Sequence, residues 1–452
     1  MRRSTRKALG AATPGTPSAA TDSCASAQTA VAAGRPSADE PTPRSVRSKR
    51  PRASAEAATA LGETRKELAF VEEDGVKASR PQRPPPRKFR QARKVAAASV
   101  SVGETCPTAN AAGSDPLALA LTLIPADCTH SEQLHQPTPP RFSLAQSFCS
   151  YGYFFLAPNV WVPAPADQHE DSGVFYRPLA CPTRNSANSQ LVMHLVVRQE
   201  PAAQVLVIHV AAKRPLQPSE RDVARAAVAR MLRLDQCLEA WNECHPEAAA
   251  RGFGRTYRSP TAFEDMVKTI TNCNVIFKRT ITMSAALCRE FGAEGVAFPL
   301  PAELAVLSEQ ELKERAGVGY RAGRIIDLAQ MFVDGELTEE WFADTSRPTQ
   351  EVYDRVLSLK GFGPYATSNV LQLLGRYDCA IEAWDTETVR LMKELGLRGT
   401  KPEDFYAAAR LRYAPYAPFQ FLAYWMELWQ NYEGRSGLPS TRWQRHTFQS
   451  SL

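Results

Sequence analysis

The spacing of hydrophobic and polar positions changes twice along the 452-residue chain. Residues 1–140 show no period and are rich in Ala, Ser, Thr, Pro and Arg, a composition typical of a disordered tail. Residues 141–218 contain short runs in which apolar and polar positions alternate, which predicts a small antiparallel β domain. Residues 219–434 follow the helical period, and residues 435–452 are left as a C-terminal tail. The pattern therefore predicts an α+β chain with a mainly α-helical core.

Positive charge is concentrated in the N-terminal tail. The whole chain holds 54 Lys and Arg against 48 Asp and Glu, whereas residues 1–100 hold 20 against 9, so the remainder is slightly acidic. The basic run at residues 44–52 is typical of a nuclear localisation signal. The arginines of residues 2–7, with no acidic residue before Asp22, also suit a chloroplast or mitochondrial transit peptide. We expect a nuclear protein, with an organelle as the alternative; a further alternative makes this tail itself the functional, polyanion-binding arm.

Cysteine usage and hydropathy argue against a disulfide-stabilised secreted protein and against a membrane protein. The ten cysteines form no CxxC pair and no regular framework, which indicates a reduced, intracellular compartment. No run of about twenty apolar residues is present, so we expect no membrane association. The pattern offers no metal-ligand cluster, and we expect neither a metal nor another cofactor.

The most informative stretch is a glycine-containing hairpin between two helical patterns. Gly361 and Gly363 allow positive φ and close approach of another backbone, and Pro364 suits the first turn of the helix that follows. Free N–H groups beside a helix N-terminus bind anions, so this hairpin can hold a phosphate without reading sequence, with Lys360 as a further phosphate contact. Asp385 follows at the start of the next helix, where we expect the carboxylate to be ionised.

This stretch resembles the helix-hairpin-helix DNA glycosylases, the HhH-GPD superfamily. The resemblance rests on Leu359, Gly361, Phe362 and Gly363, followed at the family's spacing by Asp385. It implies a base excision repair enzyme that flips a damaged base out of double-stranded DNA and breaks its N-glycosidic bond, acting as a monomer. Asp385 would be the catalytic residue. Two alternatives stay open: an Asp385 that only caps its helix, and a non-catalytic protein that senses lesions.

The predicted β domain resembles, in place and size, that of the alkylpurine and 8-oxoguanine branches of the superfamily, and two further segments resemble the 8-oxoguanine branch. By position, Asn274 falls where the family inserts an Asn into the gap left by the flipped base, and Arg279 where an Arg contacts the orphaned base. Tyr320 would wedge into the base stack, and Arg321 would hydrogen-bond the orphaned base. The cysteine loop of the iron–sulfur branch is absent from the C-terminal segment, so no cluster is expected.

One departure from the family pattern bears on the reaction. Bifunctional members carry a Lys just after the hairpin, where it forms a Schiff base with the sugar; this chain has Tyr365 there. A phenol cannot form a Schiff base, so the resemblance implies a monofunctional glycosylase without strand cleavage. A glycosylase with lyase activity through Lys360 is the alternative.

A second departure bears on the base that is removed. The Gln that reads 8-oxoguanine is replaced by Phe421, with Gln420 one residue away and therefore rotated by about 100° on a helix. A base pocket formed by Phe421 and Trp425 would favour stacking on an alkylated or otherwise modified purine. Trp425 could equally be a core residue.

Overall fold

The structure, a computed structural model, describes residues 115–182, 190–377 and 385–444, and its N-terminal part is a five-stranded antiparallel sheet. The strand order is β1-β5-β4-β3-β2, and the register pairs Phe175 with Val197 and Val197 with Ile208. This sheet confirms the predicted small β domain that precedes the helical core. The strands are β1 His130–Pro137, β2 Val160–Val162, β3 Val174–Pro182, β4 Gln190–Glu200 and β5 Val205–Ala212.

The sheet begins earlier than the predicted end of the tail at residue 140. Helix α1 (Pro116–Leu121) packs on the outer face of the sheet, and β1 adds an edge strand beside β5. β1 escaped detection because, as an edge strand, it buries only Leu134, so its sequence shows almost no alternation. The basic runs of the tail, and residues 1–114 as a whole, lie outside the described residues.

Fifteen further helices make up the rest of the described chain, as the helical period predicts. They are α2 Leu144–Phe148, α3 Pro218–Met231, α4 Glu239–Cys244, α5 Pro246–Arg251, α6 Ala262–Asn272, α7 Phe277–Phe291, α8 Pro301–Ala305, α9 Glu309–Ala316, α10 Ala322–Val333, α11 Glu339–Ala343, α12 Thr349–Leu357, α13 Pro364–Leu374, α14 Thr386–Glu394, α15 Pro402–Tyr413 and α16 Gln420–Ser436. None of the described helices is both long and apolar enough to cross a bilayer.

Helix α6 lies at the centre of the helical part. Thr261 caps its N-terminus by accepting a hydrogen bond from the Glu264 N–H at 3.1 Å. Every α6 residue except the last is buried, so polar α6 side chains must find partners inside the protein.

A buried ion-pair triad joins β3 to α6. The Glu264 carboxylate lies 2.6 Å from the Arg177 guanidinium on β3 and 2.6 Å from the Lys268 ammonium one helical turn away. The three side chains are 1–3% exposed. Although burial opposes its charged form, the charges of Arg177 and Lys268 hold the pKa of Glu264 below its usual value. The triad therefore connects the sheet to the helical core through charge as well as apolar packing.

The C-terminal segment is not a tail throughout. The sequence assigns residues 435–452 to a tail, but α16 continues to Ser436 and Trp443 is buried. The Trp443 indole packs on Phe155 and Trp429, and its N–H donates to the Leu438 carbonyl at 3.0 Å. A single tryptophan after a glycine-containing turn carries no period, which is why the pattern did not include it. Residues 445–452 lie outside the described part.

Candidate active site

The hairpin between α12 and α13 buries two apolar side chains and leaves its backbone open on the side of Gly363, where no atom lies within 4 Å of an added Cβ. Leu359 and Phe362 are buried in the helical core, and Gly361 has a φ of 104°, which only glycine adopts readily. Gly363 is the N-cap of α13 and Pro364 its first residue, so the N–H groups that follow have no partner within the helix. These N–H groups are the ones that the sequence predicts to bind a phosphate, and that binding stays a prediction.

Lys360, the predicted phosphate contact, is exposed and is not among the residues that line the cleft described below. Its ammonium lies 2.9 Å from the Asp327 carboxylate, and this pairing raises the pKa of Lys360 above its usual 10.5. A paired, protonated amine is a poor nucleophile, which weighs against the lyase alternative for this residue.

Asp385 caps the N-terminus of α14 and also faces a cleft. Its carboxylate accepts a hydrogen bond from the Thr388 N–H at 3.0 Å, and the Thr388 hydroxyl lies 2.8 Å from the Tyr424 hydroxyl. Burial raises the pKa of Asp385 above its usual 3.8, and the hydrogen bonds from Thr388 only partly oppose this effect. The Asp385 side chain thus caps α14 and also reaches the cleft. Burial opposes the stabilisation of its ionised form that the helix N-terminus is expected to give.

The cleft in front of Asp385 has a volume of about 1090 Å³ and reaches from the hairpin to the last helix. Tyr365, which occupies the position of the family lysine, lines it close to Asp385. Burial raises the pKa of Tyr365 well above its usual value, and the charge of Asp385 adds to this, so the phenol stays protonated. Among the described residues that line the cleft there is no lysine; its cations are Arg324, Arg390 and Arg435.

One wall of the cleft is aromatic. The Trp425 ring centroid lies 4.6 Å from that of Tyr151, 6.3 Å from Phe421 and 5.7 Å from Trp429. The Trp425 indole N–H donates to the Ser150 carbonyl at 2.9 Å, which fixes the plane of the ring. Phe421 and Trp425 therefore lie where a base pocket is expected, and Gln420 is not among the residues that line the cleft.

A buried polar network supports the floor of the cleft. The Asn369 amide accepts a hydrogen bond from the Tyr151 hydroxyl and donates to Tyr153 at 3.2 Å and to Thr269 at 3.0 Å. Because each of these groups is both buried and bonded, the network holds the two tyrosines in one orientation.

The four residues predicted to fill the gap and to contact the orphaned base differ in exposure and in their relation to the cleft. Asn274 is exposed, has a φ of 52° and lines the cleft. Tyr320 is 53% exposed at the start of α10. Arg279 is exposed on α7 but is not among the residues that line the cleft.

Arg321, unlike Asn274, Tyr320 and Arg279, is buried. Its side chain is 7% exposed and donates to the Ile270 carbonyl at 3.2 Å and to the Cys273 carbonyl. A weaker contact reaches the Asn274 carbonyl at 3.4 Å. A guanidinium that binds the C-terminal carbonyls of α6 supports the Asn274 loop from inside, and the contact of Arg321 with an orphaned base stays a prediction.

Several cleft residues were not found in the sequence. They are Tyr151, Tyr153, Arg324, Asn369 and Tyr424. A signal existed for two of them: Arg324 lies four residues after Tyr320, and Asn369 is a polar residue within an apolar helical pattern. The tyrosines reach the cleft from distant parts of the chain, which no local pattern records. Within the described residues, no three His, Cys, Asp or Glu side chains converge as metal ligands.

Comparisons with known proteins give one family match and several structural neighbours. The model of the HhH-GPD superfamily base excision DNA repair protein matches residues 267–415, from within α6 to the turn before α16. That range contains the hairpin, Asp385 and Tyr320, but it excludes most of the aromatic wall. The comparison with curated proteins gives no significant match.

Two glycosylases are among the solved structures that match. A 3-methyladenine DNA glycosylase from Archaeoglobus fulgidus is 19% identical, with a TM-score of 0.47 over 66% of this chain and 98% of that one. An 8-oxoguanine glycosylase/lyase from Clostridium acetobutylicum is 13% identical, with a TM-score of 0.44 over 66% and 97%. The same enzyme bound to double-stranded DNA with cytosine opposite 8-oxoguanine is 15% identical over 57% and 88%, with a TM-score of 0.40.

Proposed function

We propose that this chain, whose residues 267–415 match the HhH-GPD superfamily model, is a monofunctional DNA N-glycosylase of base excision repair that removes modified purines. The observation that carries the proposal is the single cleft on which Asp385, the outward backbone of the hairpin and an aromatic wall converge. A base turned out of the duplex needs all three: an anchor for its strand, a stacking surface and a carboxylate near the sugar.

The proposed reaction uses these groups in order. The backbone N–H groups of the hairpin hold a phosphate of the damaged strand, and Tyr320 and Asn274 enter the duplex as the base leaves. The bond between C1′ and the base nitrogen breaks, and its electron pair leaves with the base. Asp385 stabilises the positive charge that develops on the sugar and orients a water. The water oxygen bonds to C1′, and its proton passes to the carboxylate.

Two features support hydrolysis without strand cleavage. Tyr365 is a protonated phenol at the position where lyases use an amine, and the cleft offers no lysine among the described residues that line it. Lys360 is paired with Asp327 outside the cleft. Within the described residues, a Schiff base at C1′ therefore has no amine donor in place.

The aromatic wall supports modified purines as the substrate class. Phe421 and Trp425 lie nearly parallel, with an angle of 11° between their rings, and Tyr151 adds a third ring. Flat, electron-rich rings bind electron-poor rings best, and alkylation makes a purine electron-poor or cationic.

The proposal is tested with an excision panel on the full-length protein. Duplexes carry 3-methyladenine, 7-methylguanine, hypoxanthine, 8-oxoguanine, uracil or mismatched adenine, and each reaction is resolved with and without alkaline work-up. We expect a modified purine to be released, strand breaks only after alkali, and no protein–DNA adduct with borohydride. Breaks without alkali, together with an adduct, would establish the bifunctional alternative. Binding of lesion DNA without release of any base would establish the non-catalytic one.

The two glycines of the hairpin should respond differently to alanine. In Gly361→Ala the new Cβ would lie 2.7 Å from Arg324 Cδ at a φ of 104°, so we expect a loss of about 1–3 kcal/mol in the free energy of unfolding. In Gly363→Ala, with a φ of −89°, no atom lies within 4 Å of the new Cβ, and stability should be kept or rise by up to about 1 kcal/mol.

For DNA binding, we expect the stable variant, Gly363→Ala, to lose affinity. The methyl group of Gly363→Ala would stand on the open side of the hairpin, where the phosphate approaches, so we expect affinity for duplex DNA to fall several-fold in a fully stable protein. Urea unfolding and fluorescence anisotropy measure the two effects. Full affinity in Gly363→Ala would mean that the DNA backbone stays away from this glycine.

A further inference from the structure

We propose that Arg324 is the cation that binds a phosphate of the damaged strand beside the hairpin, and that Arg321 is a positioning residue for Asn274. The inference rests on the proposed function and names two residue roles within it. Its starting point is that two arginines flank one aromatic ring: the guanidinium carbons of Arg321 and Arg324 lie 4.6 Å and 4.9 Å from the Tyr320 ring centroid.

Arg324 is a cation without an anionic partner. It is half-buried on α10 and lines the cleft, and it has neither a carboxylate nor a carbonyl acceptor among residues 115–182, 190–377 and 385–444. The nearest candidate by sequence, Asp327, gives its carboxylate to Lys360. Arginine presents five N–H donors in a planar fork that matches phosphate oxygens, and none of the five donates to a carboxylate or carbonyl of the described residues.

Gly361 explains how the Arg324 side chain reaches this place. A Cβ at position 361 would lie 2.7 Å from Arg324 Cδ and 3.3 Å from its Cγ, so the arginine crosses the hairpin where a side chain is missing. The guanidinium and the outward hairpin backbone thus share one side of the protein. An anion held by the hairpin N–H groups would gain a charge-assisted hydrogen bond from Arg324.

Arg321, in contrast to Arg324, binds backbone carbonyls inside the protein. Its donors bind the carbonyls of Ile270, Cys273 and Asn274, which end helix α6 and begin the loop. Asn274 has a φ of 52°, in the left-handed region, which Asn enters more often than other non-glycine residues. The bonds from Arg321 to the Cys273 and Asn274 carbonyls hold the backbone of this loop in place, and the guanidinium groups of Arg321 and Arg324 lie 4.6 Å and 4.9 Å from the Tyr320 ring centroid.

The test measures binding of the full-length protein to duplexes that contain a tetrahydrofuran abasic analogue opposite each of the four bases, over a series of salt concentrations. For Arg324→Gln we expect about tenfold weaker binding with every opposite base, and a log–log salt slope that is lower by about one. Arg324→Lys should keep the slope, because the charge remains. Arg289→Gln, which removes an exposed arginine outside the cleft lining, is the matched control and should match wild type.

Each outcome decides the role of Arg324. An unchanged slope, or weakening confined to one opposite base, would overturn the phosphate contact. Wild-type protein that binds the abasic duplex no better than an undamaged duplex would contradict the proposed function itself, whatever Arg324→Gln does. Preference for the abasic duplex with no effect of Arg324→Gln would remove the inference alone.

The role of Arg321 is tested through Asn274. If Arg321 acts by positioning Asn274, then Arg321→Gln should lower the preference for the abasic duplex in wild type but add no further loss in an Asn274→Ala background. A merely structural role predicts additive losses. Additive losses, or a loss seen only with cytosine opposite the lesion, would overturn the assignment.

Discussion

Asp385→Asn is expected to lower the rate of base release by on the order of 10²–10⁴-fold while leaving the fold intact. The amide keeps the side-chain oxygen that accepts the Thr388 N–H, and asparagine caps a helix as well as aspartate does. What is lost is the negative charge that faces the sugar. Single-turnover release from the substrate identified by the panel measures the effect.

Asp385→Ala separates capping from catalysis. Alanine removes charge and cap together, so we expect a similar loss of rate and, in addition, a decrease of about 1 kcal/mol in the free energy of unfolding. If the asparagine variant kept its rate and the alanine variant lost both rate and stability, Asp385 would be a cap alone and the mechanism would be wrong.

The pKa of Asp385 adds a dependence on pH. Because burial raises it above 3.8, the folded state favours the protonated carboxyl, and the penalty on stability develops as pH rises through the range above 3.8. Asparagine has no such penalty, so at neutral pH its variant should be as stable as wild type or more so. Activity needs the ionised form, and the acid limb of the rate profile should therefore lie above the ordinary range of an aspartate.

Glu264→Gln is expected to lower the free energy of unfolding by about 3–5 kcal/mol, the largest effect on stability that we predict. The carboxylate neutralises Arg177 and Lys268, both 1% exposed, and an amide leaves two buried cations facing each other. Urea unfolding at pH 7 measures the change.

The chain contains a matched control for this prediction. Glu309 and Lys313 form a pair with the same spacing along a helix and a separation of 2.7 Å, but their side chains are 57% and 37% exposed. Glu309→Gln should change the free energy of unfolding by only about 0–1 kcal/mol. Equal effects of the two substitutions would mean that burial of the Glu264 triad does not matter.

Because of Lys268, the loss in the free energy of unfolding of Glu264→Gln should depend on pH. Burial lowers its pKa below the usual 10.5, with Glu264 only partly compensating, and removal of Glu264 should lower it further. The folded variant then prefers a neutral lysine, so its deficit relative to wild type should shrink as pH rises toward 10.5. A deficit that stays constant between pH 7 and pH 9.5 would contradict this origin.

The parts of the site that sequence could locate are those encoded within a short stretch. The hairpin and Asp385 lie within about 25 residues of each other, and their glycines, proline and caps act locally. The helix starts that the sequence pattern predicts are therefore found at the same residues in the structure. The role of Arg321 could not be read in this way. Whether an arginine at a helix start turns outward or binds the carbonyls of another helix depends on where α6 ends in space, which is a tertiary property.

The same limit explains the errors in the fold. Strand β1 buries one apolar side chain, and Trp443 follows a turn, so neither shows the repeated spacing on which such predictions depend. Tyr151 contacts Trp425 across more than 270 positions of the chain, and only the folded molecule brings the two rings together.

The contact between Tyr151 and Trp425 also shows that the cleft is built from two parts of the sequence. Asp385 and the hairpin lie inside the family-matched range, whereas Trp425, Phe421 and Tyr151 come from outside it. Under the proposed function, substitution of these rings should therefore change which base fits without touching Asp385 or the hairpin.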